Sequence, residues 1–332
     1  MSSSKPKFFP IGSVPPMKQM PSVTKASTSV EDFHKVLEKS TRIMALCGAG
    51  LSAASGLGTF RGAGGLWRNY QATSLATPEA FKKDPGLVWL FYSYRRHMAL
   101  QAKPNAGHYA LTELSKKLPE FITLTQNVDG LSQRANHPRQ QLKLLHGSLF
   151  DIKCFNCSRI ELNNFDDPFH PSLDIKSGDD DRLAASSNTM PARIAQMDPE
   201  APPTIPVDDL PKCPECKTGL LRPGVVWFGE ALPEDTIEEI DAWIAEKRVD
   251  LCLVIGTTAT VYPAAGYVEE ARQAGARIVV INMDSEELGA ASGLRKGDFL
   301  FEGDASTILP DILRPIIGDL DLKGGMKDAA GV

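Results

Sequence analysis

Ile43-Met44-Ala45-Leu46-Cys47-Gly48-Ala49-Gly50-Leu51-Ser52-Ala53-Ala54-Ser55-Gly56 is an apolar run of five residues that breaks into a glycine turn and then into small residues. A short, uninterrupted apolar run bounded by glycine reads as a strand buried on both faces. Gly48, Gly50 and Ala53 fit the GxGxxA form of the dinucleotide fingerprint, in which glycines admit the backbone to a pyrophosphate and the next helix presents free N–H groups. Alone, the same turn is equally a plain strand-to-helix connection. A dehydrogenase would place an acid roughly 20 residues on to hold the adenine ribose. Here no Asp or Glu lies between Ser52 and Glu79, and the stretch holds Thr59-Phe60-Arg61-Gly62-Ala63-Gly64-Gly65 instead. An arginine in a glycine-rich loop suits clamping and closing over a ligand, so hydride transfer is disfavoured.

Working outward, residues 30–39 have helical spacing, with Phe33, Val36 and Leu37 on one face. Further strands are expected at 121–125, 142–145, 225–228, 251–255, 277–281 and 299–301. Most are short, apolar and flanked by helical stretches, which predicts an α/β fold with a Rossmann-like parallel sheet covered on both faces. Residues 161–210, rich in Asp, Pro and Ser, read as a mobile insertion.

That insertion separates two CxxC dyads, Cys154-x-x-Cys157 and Cys213-x-x-Cys216. Four thiolates in two tight pairs suit one tetrahedral Zn2+, each pair biting the metal from a single turn. Redox thiols are the alternative. The gap exceeds the usual zinc-ribbon spacing of about 15–20 residues, so the intervening chain must loop out. Cys47 and Cys252 sit in apolar runs and read as small core residues.

The chain has 332 residues, 42% hydrophobic and 23% charged, enough for one large domain with an appendage or for two domains. A net charge of −5 disfavours direct nucleic-acid binding through a whole-protein field. No apolar run is long enough to span a bilayer, and nothing requires an oxidising compartment, so an intracellular protein is expected. Residues 1–29 carry lysines and serines as a transit segment does, but lack arginine and are interrupted by Pro10, Pro15, Pro16 and Pro21. They are expected to form a disordered tail, as are residues 319–332.

The order of motifs resembles that of the sirtuins: GAGLSAASG, TFRG, Thr125-Gln126-Asn127-Val128-Asp129-Gly130-Leu131, His146-Gly147, the two dyads, Gly256-Thr257-Thr258 and Ile281-Asn282. The resemblance spans about residues 41–313. It implies an NAD-consuming protein-lysine deacylase with a catalytic domain over 30–313. The large Rossmann-like part would comprise about 30–70, 105–150 and 222–313. The smaller part would comprise a helical segment at 71–104 and a zinc module at 151–221, with acyl-lysine protein substrates entering between the two. The compartment it suggests is the mitochondrion, with cytoplasm or nucleus as alternatives.

Residue by residue, the resemblance implies that Asn127 and Asp129 line the nicotinamide pocket and that His146 is the general base, although as isolated residues they could cap a helix or be structural. The implied reaction is attack of the acyl carbonyl oxygen on the nicotinamide ribose, with nicotinamide leaving. His146 then activates a ribose hydroxyl against the resulting imidate, releasing lysine and O-acyl-ADP-ribose. Gly48, Ala49, Gly50, Ser52, Phe60, Arg61 and Gln126 would contact the NAD phosphates and ribose. Gly256, Thr257, Thr258, Asn282, Met283 and Ala305 would hold the adenosine half. Val225-Val226-Trp227-Phe228-Gly229-Glu230 would pair with an extended substrate peptide. Four thiolates leave no open position on the zinc, so the metal would be structural.

Tyr92 and Arg95 fall at i and i+3 of a helical stretch, where a phenol and a guanidinium could bind a carboxylate or merely make a surface contact. The same Tyr-x-x-Arg marks the sirtuin branch that removes succinyl, malonyl and glutaryl groups, which implies an acidic acyl-lysine substrate. Mono-ADP-ribosyl transfer, deacetylation without acidic preference and a noncatalytic zinc-containing binding module are the competing readings.

Overall fold

The computed structural model describes residues 26–59, 66–67, 70–174, 204–286 and 288–320. Along the chain, α1 (Val30–Leu37) is capped by Ser29, whose side chain accepts from Asp32 N, and leads into β1 (Ile43–Cys47). Next come α2 (Gly50–Ala53), the short strands β2 (Leu66–Trp67) and β3 (Tyr70–Gln71), and α3 (Ala72–Leu75). Helices α4 (Pro78–Lys83) and α5 (Pro85–Gln101) each start with proline behind an Asp or Thr cap. Helix α6 (Ala106–Lys117) starts from a capping box between Asn105 and His108. Then follow β4 (Phe121–Thr125), α7 (Leu131–Arg134), β5 (Leu142–Leu144), β6 (Gly147–Cys154), β7 (Ile160–Glu161) and β8 (Leu221–Val225). The rest is α8 (Glu234–Glu246), β9 (Leu251–Ile255), α9 (Tyr267–Gln273), β10 (Arg277–Asn282), β11 (Phe299–Glu302) and α10 (Ala305–Ile317).

Six strands form one parallel sheet in the order β11-β10-β9-β1-β4-β5. Successive residues of β1 serve opposite cores. Met44 and Leu46 pack with Ile122, Cys252, Val254 and Val280 beneath α8 and α9. Ile43, Ala45 and Cys47 pack with Phe121, Leu253 and Val279 beneath α1, α6 and α10. Both faces are covered, which is why these strands read as unbroken apolar runs. The order reverses across β1, so the strand ends beside β1 form the crevice where such sheets bind ligands.

The expected strand at 225–228 is displaced. It runs Leu221–Val225 and lies in a separate antiparallel sheet, β7-β6-β8, instead of the parallel one. Pro223-Gly224 reads as a turn in sequence, yet β8 is an edge strand, where a missing N–H is tolerated. Gly224 is needed there, because a Cβ would lie 2.4 Å from Asp151 Cβ. The divisions expected at 150/151 and 221/222 therefore fall inside β6 and at the start of β8.

The insertion is not mobile throughout. Leu173 and Leu210 are buried in the small core with Trp89, Phe91 and Tyr92, and Trp89 stacks on Phe169 at 5.3 Å. Residues 175–203 lie outside the described residues, as do 1–25 and 321–332. At the end of the tail expected over 1–29, Ser27 pairs with the edge of β11: its N–H donates to Asp298 O, and its carbonyl accepts from Leu300 N.

Candidate active site

The glycine turn is packed against the next strand end. A Cβ on Gly48 would sit 2.5 Å from Thr257 Cβ, and one on Gly50 would sit 2.6 Å from Gly256 Cα. Gly48 N donates to Ile255 O, and Gly50 N to Gly256 O. Beyond any ligand contact, these glycines let two turns close on each other at the reversal of the sheet. Gln126 Nε2 then donates to Thr257 Oγ1 at 3.1 Å, and Thr258 Oγ1 lies 3.2 Å from Thr260 Oγ1.

The loop after β4 closes over the same turn. Asn127 Nδ2 donates to Gly48 O at 2.9 Å and lies 3.3 Å from Ser52 Oγ. Ser52 Oγ donates to Asp129 Oδ2 at 2.7 Å, and Asp129 Oδ1 accepts from Leu131 N. The structure thus joins Gly48, Ser52, Asn127 and Asp129 in one hydrogen-bonded group. On the far side, Asn282 Oδ1 accepts from Met283 N, Met283 is exposed, and Ala305 is buried at the start of α10. Phe60 and Arg61 lie outside the described residues.

His146 follows β5. Its Nδ1 is 3.1 Å from Gln126 O, a carbonyl that can only accept, so Nδ1 carries the proton and donates. Nε2 is then an unprotonated nitrogen, and it is buried without a hydrogen-bond partner among the described residues. Burial lowers the imidazole's pKa, partly opposed by the Gln126 carbonyl. This is a neutral, oriented base with its lone pair unused.

Tyr92 is fully buried, and its hydroxyl accepts from Trp227 Nε1 at 2.9 Å. Burial pushes the phenol up to about 12. Arg95 is half-buried, its guanidinium carbon 5.6 Å from the Phe91 ring centre. Burial lowers its pKa, while Tyr92, Asp129 and Tyr94 raise it, so the acyl-reading candidate shares its surroundings with the loop of Asp129.

The stretch 225–230 is engaged internally to a degree that the sequence did not show. Val226 N donates to His146 O, Phe228 N to Ala76 O, and Trp227 N to Glu230 Oε2. Trp227 is fully buried, Val225 is buried, and Gly229 is exposed. Glu230 pairs with Arg222 through both oxygens, the closer contact at 2.5 Å. Burial alone would raise the Glu230 pKa, but the Arg222 pair brings it below the ordinary range. Its carboxylate therefore braces the turn.

Cys154 and Cys216 have their sulfurs 3.7 Å apart, as do Cys157 and Cys213, and all four lie within 4.8 Å of one another. A tetrahedral zinc with Zn–S of about 2.3 Å requires sulfur spacings of about 3.8 Å. The four thiols fit one structural zinc and not a pair of disulfides. Backbone N–H groups of Gly219 and Thr218 pull the Cys216 thiol down to about 6.

Sequence reasoning missed four supporting residues. Thr125 Oγ1 accepts from Asn127 N. Asn105 Nδ2 donates to Leu51 O at 2.8 Å and Ser55 Oγ at 3.0 Å, fastening α6 to the glycine turn. His108 and Arg134 both share an electrostatic environment with Asp129. An Asn ahead of a helix is a readable cap signal, whereas nothing local marks the other three.

The Sir2 family model matches residues 48–263. An NAD-dependent protein deacylase of Candida albicans is 48% identical over 304 residues, covering 88% of this chain and 99% of the relative. The mitochondrial NAD-dependent protein deacylase sirtuin-5 of Canis lupus familiaris is 40% identical, covering 89% and 88%. A crystal structure of a Sir2 homologue in complex with NAD superposes with a TM-score of 0.67 at 33% identity, covering 88% of this chain and 95% of that one. The chain belongs to the Sir2 family.

Proposed function

We propose that this NAD-dependent protein deacylase removes acidic acyl groups, namely succinyl, malonyl and glutaryl, from protein lysines in preference to acetyl. NAD is consumed as a co-substrate and supplies the ribosyl carbon that accepts the acyl oxygen. Gly48, Ala49, Ser52 and Gln126, with Gly256, Thr257 and Asn282 across the crevice, would bind it. Asn127 and Asp129 would hold the carboxamide of its nicotinamide. His146 Nε2 takes the proton of a ribose hydroxyl, because Nδ1 is committed to Gln126 O and the ring is held neutral.

The acyl preference is supported by one arrangement: Tyr92 and Arg95 lie one turn apart on α5, with the half-buried Arg95 guanidinium in the field of Asp129, where it would pair with a carboxylate. The zinc stabilises the fold of the small module and takes no part in chemistry. An extended peptide would lie along residues 226–229, where Gly229 is exposed. The dog relative's mitochondrial designation supports that compartment. The net charge of −5 disfavours nucleic acid, and no helix among the described residues is long and apolar enough to cross a membrane.

The test is mass spectrometry of products from matched acetyl- and succinyl-lysine peptides with NAD, using His146→Tyr as control. Succinyl-ADP-ribose should dominate, and Arg95→Met should lose at least about tenfold on succinyl-lysine with little change on acetyl-lysine. Equal losses on both peptides would remove the acyl preference. No NAD-dependent product from either would remove the deacylase reading.

A further inference from the structure

Arg96 is 1% exposed, next to the acyl-reading candidate Arg95 and one turn beyond Tyr92. Its Nη1 donates to Leu149 O at 2.5 Å. Its Nη2 donates to Asn164 O at 2.9 Å, to Asn164 Oδ1 at 3.1 Å and to Asp166 O at 2.8 Å. The guanidinium sits 5.5 Å from the ring centre of Phe150 and 5.8 Å from that of Phe169. Leu149 is itself tied to the site, since its N–H donates to Val128 O at 2.9 Å, between Asn127 and Asp129.

We propose that Arg96 is a positioning residue, fixing the acyl-reading helix α5 against β6, whose Leu149 N–H holds the nicotinamide loop after β4, and against the first arm of the insertion. It rests on the acidic-acyl reading above for the size of its effect. Among the described residues, Arg96 donates to carbonyls and an amide oxygen, with no carboxylate in hydrogen-bond contact. Burying it is costly, and a hydrophobic residue would fill the space at lower cost. A planar fork of N–H donors can hold three carbonyls on two backbone segments at once, which no apolar side chain can do. His97 and Trp89 reinforce the same seam: His97 Nδ1 lies 2.6 Å from Asp167 Oδ2, and Trp89 stacks on Phe169. Losing Arg96 leaves Tyr92 and Arg95 in place chemically but frees α5 to shift. Reading a carboxylate by a forked cation is sensitive to displacements of about 1 Å.

The experiment uses the full chain with Arg96→Gln, Arg96→Lys and Asn164→Ala. KM and kcat are measured for acetyl- and succinyl-lysine peptides and for NAD, with melting curves alongside. Arg96→Gln should raise KM for the succinyl peptide about tenfold and leave KM for NAD within about twofold, with Arg96→Lys in between. Asn164→Ala removes one acceptor of Arg96, together with the Asn164 side-chain bonds to Glu161 and Asp166, and should raise the succinyl KM about threefold, which decides the matter if Arg96→Gln does not fold. An unchanged peptide KM in a folded variant overturns the proposal. So does a parallel rise of the peptide and NAD KM values, the signature of general loosening. Wild type that prefers acetyl would discard the acidic-acyl class; Arg96 would then be judged by the same split between peptide and NAD, read with the acetyl peptide.

Discussion

Ser52 on the glycine turn donates to Asp129 on the loop after β4 at 2.7 Å, and Leu131 N occupies the other carboxylate oxygen. One hydroxyl therefore couples the two loops that would hold opposite parts of NAD. Ser52→Ala leaves a buried carboxylate oxygen with an unmade bond, at a cost of about 1–3 kcal/mol. The expected result is a higher KM for NAD and about a tenfold fall in kcat/KM, with peptide KM little changed. Steady-state kinetics varying each substrate in turn would show it, and an unchanged NAD KM would mean that the bond does not order the site.

The state of His146 fixes the acid limb of the pH profile. In its proposed role as base His146 works neutral, and burial holds its folded pKa below the ordinary 6.5. Activity should be complete above pH 6.5 and fall only as pH drops through the lower, folded value. A profile of kcat/KM against pH checks this; an acid-limb midpoint above 7 would contradict a buried, desolvated base.

Two further histidines should make stability, as distinct from activity, depend on acid. His108 and His137 are buried, and burial takes both down to about 4. The unfolded chain binds their protons near 6.5 while the folded chain resists. Stability is therefore complete above about 6.5, is lost between there and 4, and levels off below, at roughly 2 kcal/mol per group by pH 5. Urea unfolding at pH 7 and pH 5 measures the drop. His137→Gln, which can keep a bond to Thr123 Oγ1, should reduce the pH slope by about half, and an unaltered slope would assign the effect elsewhere.

The parallel sheet was legible because its strands are buried on both faces, so β1, β4 and β9 appear as apolar runs with their observed bounds. The dyads were legible because metal-ligand spacing is local. What escaped was non-local. Pro223-Gly224 concealed an edge strand whose tolerance for proline depends on a partner, β6, distant in sequence. The polar insertion looked mobile because its anchors Phe169, Leu173 and Leu210 are sparse, and their burial depends on α5. Nothing in the sequence marked Arg96 as buried, because a helix that is buried on most sides has no clear polar face to read against. The bracing role of Glu230 was not legible because its partner Arg222 lies on the preceding strand, eight residues away.

Glu230 gives a test that separates bracing from substrate reading. Arg222 is 3% exposed, lies 3.3 Å over the Trp227 ring and is held by both Glu230 oxygens, while Trp227 in turn donates to Tyr92. Glu230→Gln leaves the guanidinium buried without its counter-charge, a loss of about 3 kcal/mol. Activity should fall on acetyl- and succinyl-lysine peptides alike, so that their ratio holds while the urea midpoint drops. Arg222→Met added to Glu230→Gln should cost little more than the single change, because the unpaired cation goes with it. A stable Glu230→Gln protein with an altered acyl ratio would instead place this carboxylate in contact with substrate.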